Sequence, residues 1–479
     1  MKLSKQIHPL LWIIVLTAPF ILWGKLLILP TFDDWATLSS PNTDADFLQF
    51  FLPYGSSWRP FDALIGYVYS WIGPQWFPTL SHLLIFAAHA GSTFMVFRLS
   101  QLLGFSRLAQ AVATVFFWLS PCTLATVFAC DSLNQSYSQF WGLMAIYSYL
   151  RVKSRWRHHL WLLCVLLATL SKENGLAWAV VPPILAFGFQ FIDRRTLFKH
   201  LALGCTLAIA YAAVRLSLPL TEVYYEEYHN LFSLAGKIKA VAVLLCYTFL
   251  PGDYIFLLHA PARNVGLFLL TLLPVLPFIW MLFFYRPSIW RHRHFLTLLL
   301  CALIAVSPNL LITMIMMNAY TWLGMAALLV AFCVNHCQKK RAMMICFLLY
   351  LAATAFTYVH HWYCTWQTSL PARYMAEEAI CKTGHRVDNV FVITIEETER
   401  KYSSFITLPT EAFGWGRAVW GQTNYEWPSH INDTIVPHNT TNTVIDSLAR
   451  QALQTGNDCV WVVRHDSVFV ITSTTILAE

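Results

Sequence analysis

Eleven stretches of this 479-residue chain are apolar over about the length that crosses a ~30 Å hydrocarbon core as helix: 9–29, 80–100, 107–129, 135–151, 159–171, 175–192, 198–216, 264–284, 295–315, 318–336 and 342–361. A chain with that many apolar runs must satisfy its backbone inside lipid, and helices do so within each segment. The expected fold is therefore an all-α polytopic membrane bundle of about 11 transmembrane helices. With 57% hydrophobic and only 12% charged residues, a water-soluble fold is excluded. Lys2 and Lys5 precede the first run, which continues past Trp23 without a small-residue cleavage site and so reads as a retained first helix.

The charges between the runs set an orientation. With the N-terminus cytoplasmic, the loops on that side hold 17 basic residues against one acid, Asp193. Eleven acids fall on the other side: Asp33, Asp34, Asp44, Asp46, Asp62, Asp131, Glu173, Glu222, Glu226, Glu227 and Asp253. This is the positive-inside pattern, so the net charge of +7 reports topology and not a nucleic-acid partner. The expected location is the cell (inner) membrane, with the C-terminus extracytoplasmic. The apolar segment 236–258 would invert every later cluster if it crossed, so it is expected to lie on or dip into the outer face.

Two outer loops are long, 30–79 and 217–263. Beyond His361 the composition becomes that of soluble protein, dividing the chain into a membrane domain, 1–361, and a small extracytoplasmic α/β domain, 362–479. Apolar runs at 389–395, 459–464 and 467–472 predict three strands, with a helix over 443–454. The twelve cysteines form no CxxC pair or zinc-type spacing; a bridge between Cys364 and Cys381 is one option for those outside the apolar part.

Polar residues gather at the outer boundary. Asp33-Asp34 follows the first run, where two adjacent carboxylates beside a low-dielectric boundary are costly unless a cation uses them; the alternative is a solvated capping loop. Trp58-Arg59-Pro60 lies later in that loop. His82 and His89, seven residues apart, share one helix face, and alone such a pair is more often packing than ligand. Ser120-Pro121, Asp131-Ser132-Leu133-Asn134-Gln135 and Ser171-Lys172-Glu173-Asn174-Gly175 follow, the last a charged break that a tight turn between helices would also explain.

In this order, with Leu250-Pro251-Gly252-Asp253 in the second long loop, the motifs resemble the GT-C superfamily of membrane glycosyltransferases. The nearest pattern is the protein O-mannosyltransferase branch that carries tetratricopeptide repeats, with its bacterial relatives. The likeness covers about residues 1–335; the repeats are absent, and Asn318-Ala319 stands where the branch has Glu-Arg. The resemblance implies transfer of a sugar, hexosyl or pentosyl, from a polyprenyl-phosphate donor to a protein or glycan acceptor at the outer face. Such chemistry needs a carboxylate to activate the acceptor or hold a metal, and cations for the departing phosphate. Asp33 and Asp34 are the expected catalytic pair, and Arg59, Lys172, His229 and Arg263 the phosphate-binding set. Asp131, Glu173, His82 and His89 are expected in support, and a divalent Mg or Mn ion, if used, at Asp34 and Asp131. The C-terminal domain is expected to be an appendage that adjusts acceptor choice or stability. A transporter or flippase of lipid-linked saccharides is the alternative, and would show inverted repeats and charges at mid-membrane.

Overall fold

The computed structural model describes residues 8–30, 34–35, 58–152, 156–218, 233–250, 266, 269–270, 272–311, 316–396, 413–427, 431–464 and 467–472. Among these residues, six helices are long and apolar enough to cross a membrane: Pro9–Leu26, Pro74–Leu102, Arg107–Val127, Arg194–Ser217, Arg293–Leu310 and Lys340–Gln367. The chain is an integral membrane protein. The other five expected spans contain helix that is shorter or more polar. Leu133–Arg151 carries Asn134, Gln135, Ser136, Ser138 and Gln139 in its first two turns. Trp156–Ser171 has 16 residues, and the 175–192 window divides into a 3-10 turn, Glu173–Ala179, and Val181–Gly188, with Pro182 and Pro183 in the first turn of the latter. The apolar pieces Val275–Phe284 and Tyr320–His336 are also short. The 236–258 region holds the helix Leu234–Phe249.

The bundle is built around helices that are apolar on every side, as expected where lipid or protein surrounds them. Each residue of Leu323–Val334 is buried. Small residues permit the closest crossings: a Cβ on Gly142 would fall 2.1 Å from the Trp178 ring, and one on Gly324 2.5 Å from Gln139. Polar anchors pin the first helix, Trp118 Nε1 donating to Thr17 Oγ1 at 2.9 Å and Trp362 Nε1 to the Gly24 carbonyl at 2.9 Å.

The long helix Lys340–Thr383 runs 44 residues before Gly384, at φ +69°, ends it. At 1.5 Å per residue that is about 66 Å, twice the hydrocarbon thickness, so one rod continues through position 361 into the terminal domain. A Cys364–Cys381 bridge is thereby excluded, because 17 residues along one helix put them about 25 Å apart, far beyond disulfide reach.

The terminal domain has four strands where the sequence predicts three: β1 (Val390–Ile395), β2 (Asn432–Val436), β3 (Cys459–Arg464) and β4 (Ser467–Thr472). Their order is β2-β1-β3-β4, with β1 parallel to β2 and β3 and with β4 antiparallel to β3. Strand alternation splits the side chains between two layers. Val390, Val392, Trp461 and Val463 face Met375, Ala376 and Ala379 of the long helix. Ile393, Ile395, Val460 and Val462 face Ile445, Ala449 and Ala452 of the helix Asn442–Gln454.

Candidate active site

The segment 127–134, between the third apolar run and the helix Leu133–Arg151, is clasped from both sides. From below, the ammonium of Lys25, wholly buried near the end of the first helix, donates to the carbonyls of Val127 and Ala129. From the loop after the first helix, Asp34 Oδ1 accepts the backbone N–H groups of Cys130 at 2.6 Å and Asp131 at 2.9 Å. Two N–H donors on one carboxylate oxygen are charge-assisted bonds that fix its direction. Asn134 Nδ2 then bridges the Asp131 carbonyl, at 3.2 Å, and Asp62 Oδ2, at 2.8 Å.

Asp62 rides in the first turn of the helix Pro60–Ile72, which Pro60 starts with its fixed φ just after Arg59. The Arg59 end is held by Glu173, which accepts the Trp58 N–H and lies 4.0 Å from Arg59 Nε. Glu173 and Lys172 occupy a turn closed by the Gly175 N–H on the Lys172 carbonyl, 2.8 Å. Glycine is required there, since a Cβ on Gly175 would lie 2.3 Å from the Ala168 backbone.

Three cations, Lys25, Arg59 and Lys172, and four acids, Asp34, Asp62, Asp131 and Glu173, therefore share one end of the bundle. Burial pushes Asp62 up to about 7, although Arg59, Asn134 and Lys172 pull the other way. Burial also raises Asp131, against the charges of Lys172 and Arg59. Lys172 is brought down to about 8 by burial and by the neighbouring Arg59 guanidinium. Several buried polar atoms here find no hydrogen-bond partner among the described residues: Asp62 Oδ1, Arg59 Nε, Asn134 Oδ1, both amide atoms of Gln135, and Asn174 Nδ2. Buried polar groups are normally paired, so a cluster of unmatched ones marks a surface built for something else to touch.

Of the residues singled out in the sequence, Asp34, Arg59, Asp131, Lys172 and Glu173 converge. His82 lies beneath them, its Nε2 on the Ile28 carbonyl at 2.9 Å and 3.2 Å from Cys130 Sγ. His89 does not join. Its ring bonds Tyr320 OH at 2.8 Å and the Trp118 carbonyl at 3.2 Å and stacks on Phe117 and Trp118 inside the bundle. Asn318 is buried, its carbonyl accepting from Thr321 Oγ1 at 2.8 Å. Asp33, His229 and Arg263 lie outside the described residues. Lys25 and Asp62 belong to the cluster but are not picked out from sequence. Lys25 carries a signal, being the one charged residue in the apolar helix Trp12–Leu26; Asp62 carries none, since its partner is 72 positions away.

No protein-family model and no curated protein matches the sequence. Solved structures do. The ArnT structure from Cupriavidus metallidurans, bound to undecaprenyl phosphate, is similar over 97% of this chain and 98% of its own, with 12% identity and a TM-score of 0.51. An oligosaccharyltransferase from Archaeoglobus fulgidus, crystallised with Zn and sulfate, is similar over 88% of this chain, with 16% identity and a TM-score of 0.44; this chain spans 62% of its length. The likeness to ArnT is one of fold.

Proposed function

We propose that the chain is a membrane glycosyltransferase that moves a sugar from a polyprenyl-phosphate carrier to an acceptor on the extracytoplasmic face, its N-terminus being cytoplasmic. The observation that carries this reading is the meeting of Asp34, Asp62 and Asp131 with Arg59 and Lys172 at one end of the bundle, amid buried polar atoms that lack partners among the described residues. ArnT, which shares the fold, was solved with a lipid phosphate, and a lipid phosphate is what a pair of cations at a membrane boundary would hold.

In the reaction, an acceptor hydroxyl attacks the anomeric carbon as its proton passes to a first-loop carboxylate, Asp33 or Asp34, and the bond from that carbon to the phosphate oxygen breaks. The two backbone N–H groups on Asp34 Oδ1 aim its carboxylate before the acceptor arrives. The departing phosphate takes negative charge, which Arg59 and Lys172 stabilise most at that moment. Asp62 and Asn134 offer Oδ1 atoms to hydroxyls of the acceptor or sugar. His229 and Arg263 keep their assignment to the phosphate from sequence alone. Divalent ions take several oxygen ligands, and among the described residues no three His, Cys, Asp or Glu side chains are placed to hold a metal ion together. An ion at Asp34 and Asp131 would therefore take further ligands from outside those residues.

The test is to incubate membranes holding the protein with a panel of labelled polyprenyl-phosphate sugars, hexosyl and pentosyl, with protein and glycan acceptors. Sugar on an acceptor with release of polyprenyl phosphate is the expected result. Movement of intact lipid-linked sugar across the bilayer without cleavage would favour a flippase.

A further inference from the structure

We infer that the C-terminal α/β domain is a wall of this site: its Phe413–Tyr425 segment holds Trp35, and through it the adjoining Asp34, so that transfer requires the domain docked. The inference rests on the catalytic assignment of Asp34 above, but its physical basis is separate.

The short helix Arg417–Gln422 places Ala418 and Trp420 in one apolar cluster with Trp35, Tyr69, Phe77, Cys130 and Leu133. These residues surround the carboxylates in sequence: Trp35 follows Asp34, Tyr69 shares a helix with Asp62, and Cys130 and Leu133 flank Asp131. The Trp35 ring sits 5.7 Å from Phe77, which in turn meets Tyr69 edge-on at 5.5 Å. On the side of the terminal domain the approach is by backbone. Gly414, at φ +55°, comes so near that a Cβ there would lie 2.9 Å from Trp35 Cβ and 3.0 Å from Cδ1.

The segment is also stiff. Phe413 and Val419 are buried in the core of the terminal domain with Trp461 and Met375, so the same few residues join the sheet to Trp35. Asn424 and Tyr425, at φ 53° and 69°, hold left-handed backbone that non-glycine residues seldom adopt. The turn is locked by the Tyr425 N–H on the Trp420 carbonyl at 2.8 Å and by ring contact between the two at 4.5 Å. Such strain persists where surrounding structure fixes it, and it gathers at working sites. Trp35 Nε1 and Tyr425 OH are both buried without a partner among the described residues, a cost retained inside the interface that carries the contact.

The consequence is geometric. Asp34 is aimed by bonds of 2.6 and 2.9 Å to the N–H groups of Cys130 and Asp131. A shift of Trp35 by about 1 Å takes such bonds out of range and misplaces a catalytic group enough to lower turnover. Trp35, Gly414 and Trp420 are thus positioning residues.

Two measurements on the full-length chain in membranes test this. Cysteines replacing Trp35 and Gly414 should cross-link on mild oxidation, a readout that needs no activity. Gly414→Ala and Trp420→Ala should each lower kcat for sugar transfer by ~10-fold or more, with donor KM within about 2-fold, and Trp420→Phe should restore most of the rate. Failure of the correctly inserted double-cysteine chain to cross-link, or an unchanged kcat in both single variants, would overturn the inference. A double-cysteine chain that cross-links, with a wild-type chain that transfers no sugar, would sink the proposed reaction and leave the docked wall supported.

Discussion

The two ends of the bundle both collect polar side chains, and they treat them differently. At the basic end, charges and imidazoles are laid on rings and carbonyls. Arg293 donates to the Phe187 carbonyl at 2.8 Å, Lys339 lies 5.3 Å over Tyr285, and His336 bonds the Phe332 carbonyl at 2.9 Å with its ring 4.1 Å from Phe332. These groups are at or near the surface, and each has an ordinary partner. At the opposite end, half-buried acids and cations gather around the buried Asp34, and among the described residues several of their atoms have none. The first arrangement serves to anchor and orient a membrane protein; the second costs stability and is worth keeping only where a ligand makes up the difference.

The sharpest break between the ends should come from Asp34→Asn. It keeps the size of the side chain and removes its charge, so turnover should fall by roughly 10²-fold or more while insertion and expression hold. Next in size, Arg59→Ala and Lys172→Ala should each lower kcat/KM for the phosphate-linked donor by about 10-fold or more, measured against varied donor concentration.

A third effect is on pH dependence. Asp62 carries its charge above about 7 and Lys172 loses its own above about 8, so transfer should peak between these values. Lys172→Arg should move the alkaline limb upward, and Asp62→Asn should remove the acid limb. The stability signs follow. A raised carboxyl stabilises the fold at low pH and loses that contribution as pH rises through about 7, whereas a depressed lysine contributes at high pH and loses it as pH falls through about 8. Both charged forms thus cost stability in the working window, and adding a polyprenyl phosphate there should raise the melting temperature of the wild type more than that of Lys172→Ala. The smallest effect belongs to the basic end: His336→Ala should leave transfer within about 2-fold.

Much of this contrast is legible in the sequence because charge side and apolar length are local properties. Asp34, Asp131, Lys172 and Glu173 stand at the ends of apolar runs, where a polar residue is conspicuous, Arg59 precedes a proline in the first long loop, and the structure brings them together. Asp62 is hidden because its meaning lies in Asn134, which only the packing of two helices supplies. The strand β2 is hidden for another reason: Asn432-Asp433-Thr434 is polar and at the sheet edge, so neither hydrophobic alternation nor burial marks it. Helices such as Leu133–Arg151 read as spans by mean hydropathy, yet their polar first turns serve the site. The Trp35–Gly414 contact joins positions 379 apart, and no local pattern announces it.

The central claim is that the acidic end, and not the basic one, receives the lipid phosphate. A photoreactive polyprenyl phosphate, activated in membranes containing the wild-type chain and mapped by peptide mass, tests it most directly. Adducts within 58–62, 131–138 and 172–174, suppressed by excess unmodified polyprenyl phosphate and weakened in Lys172→Ala, are the predicted result. Competable adducts confined to 286–294 and 336–341, with none near Arg59 or Lys172, would contradict it.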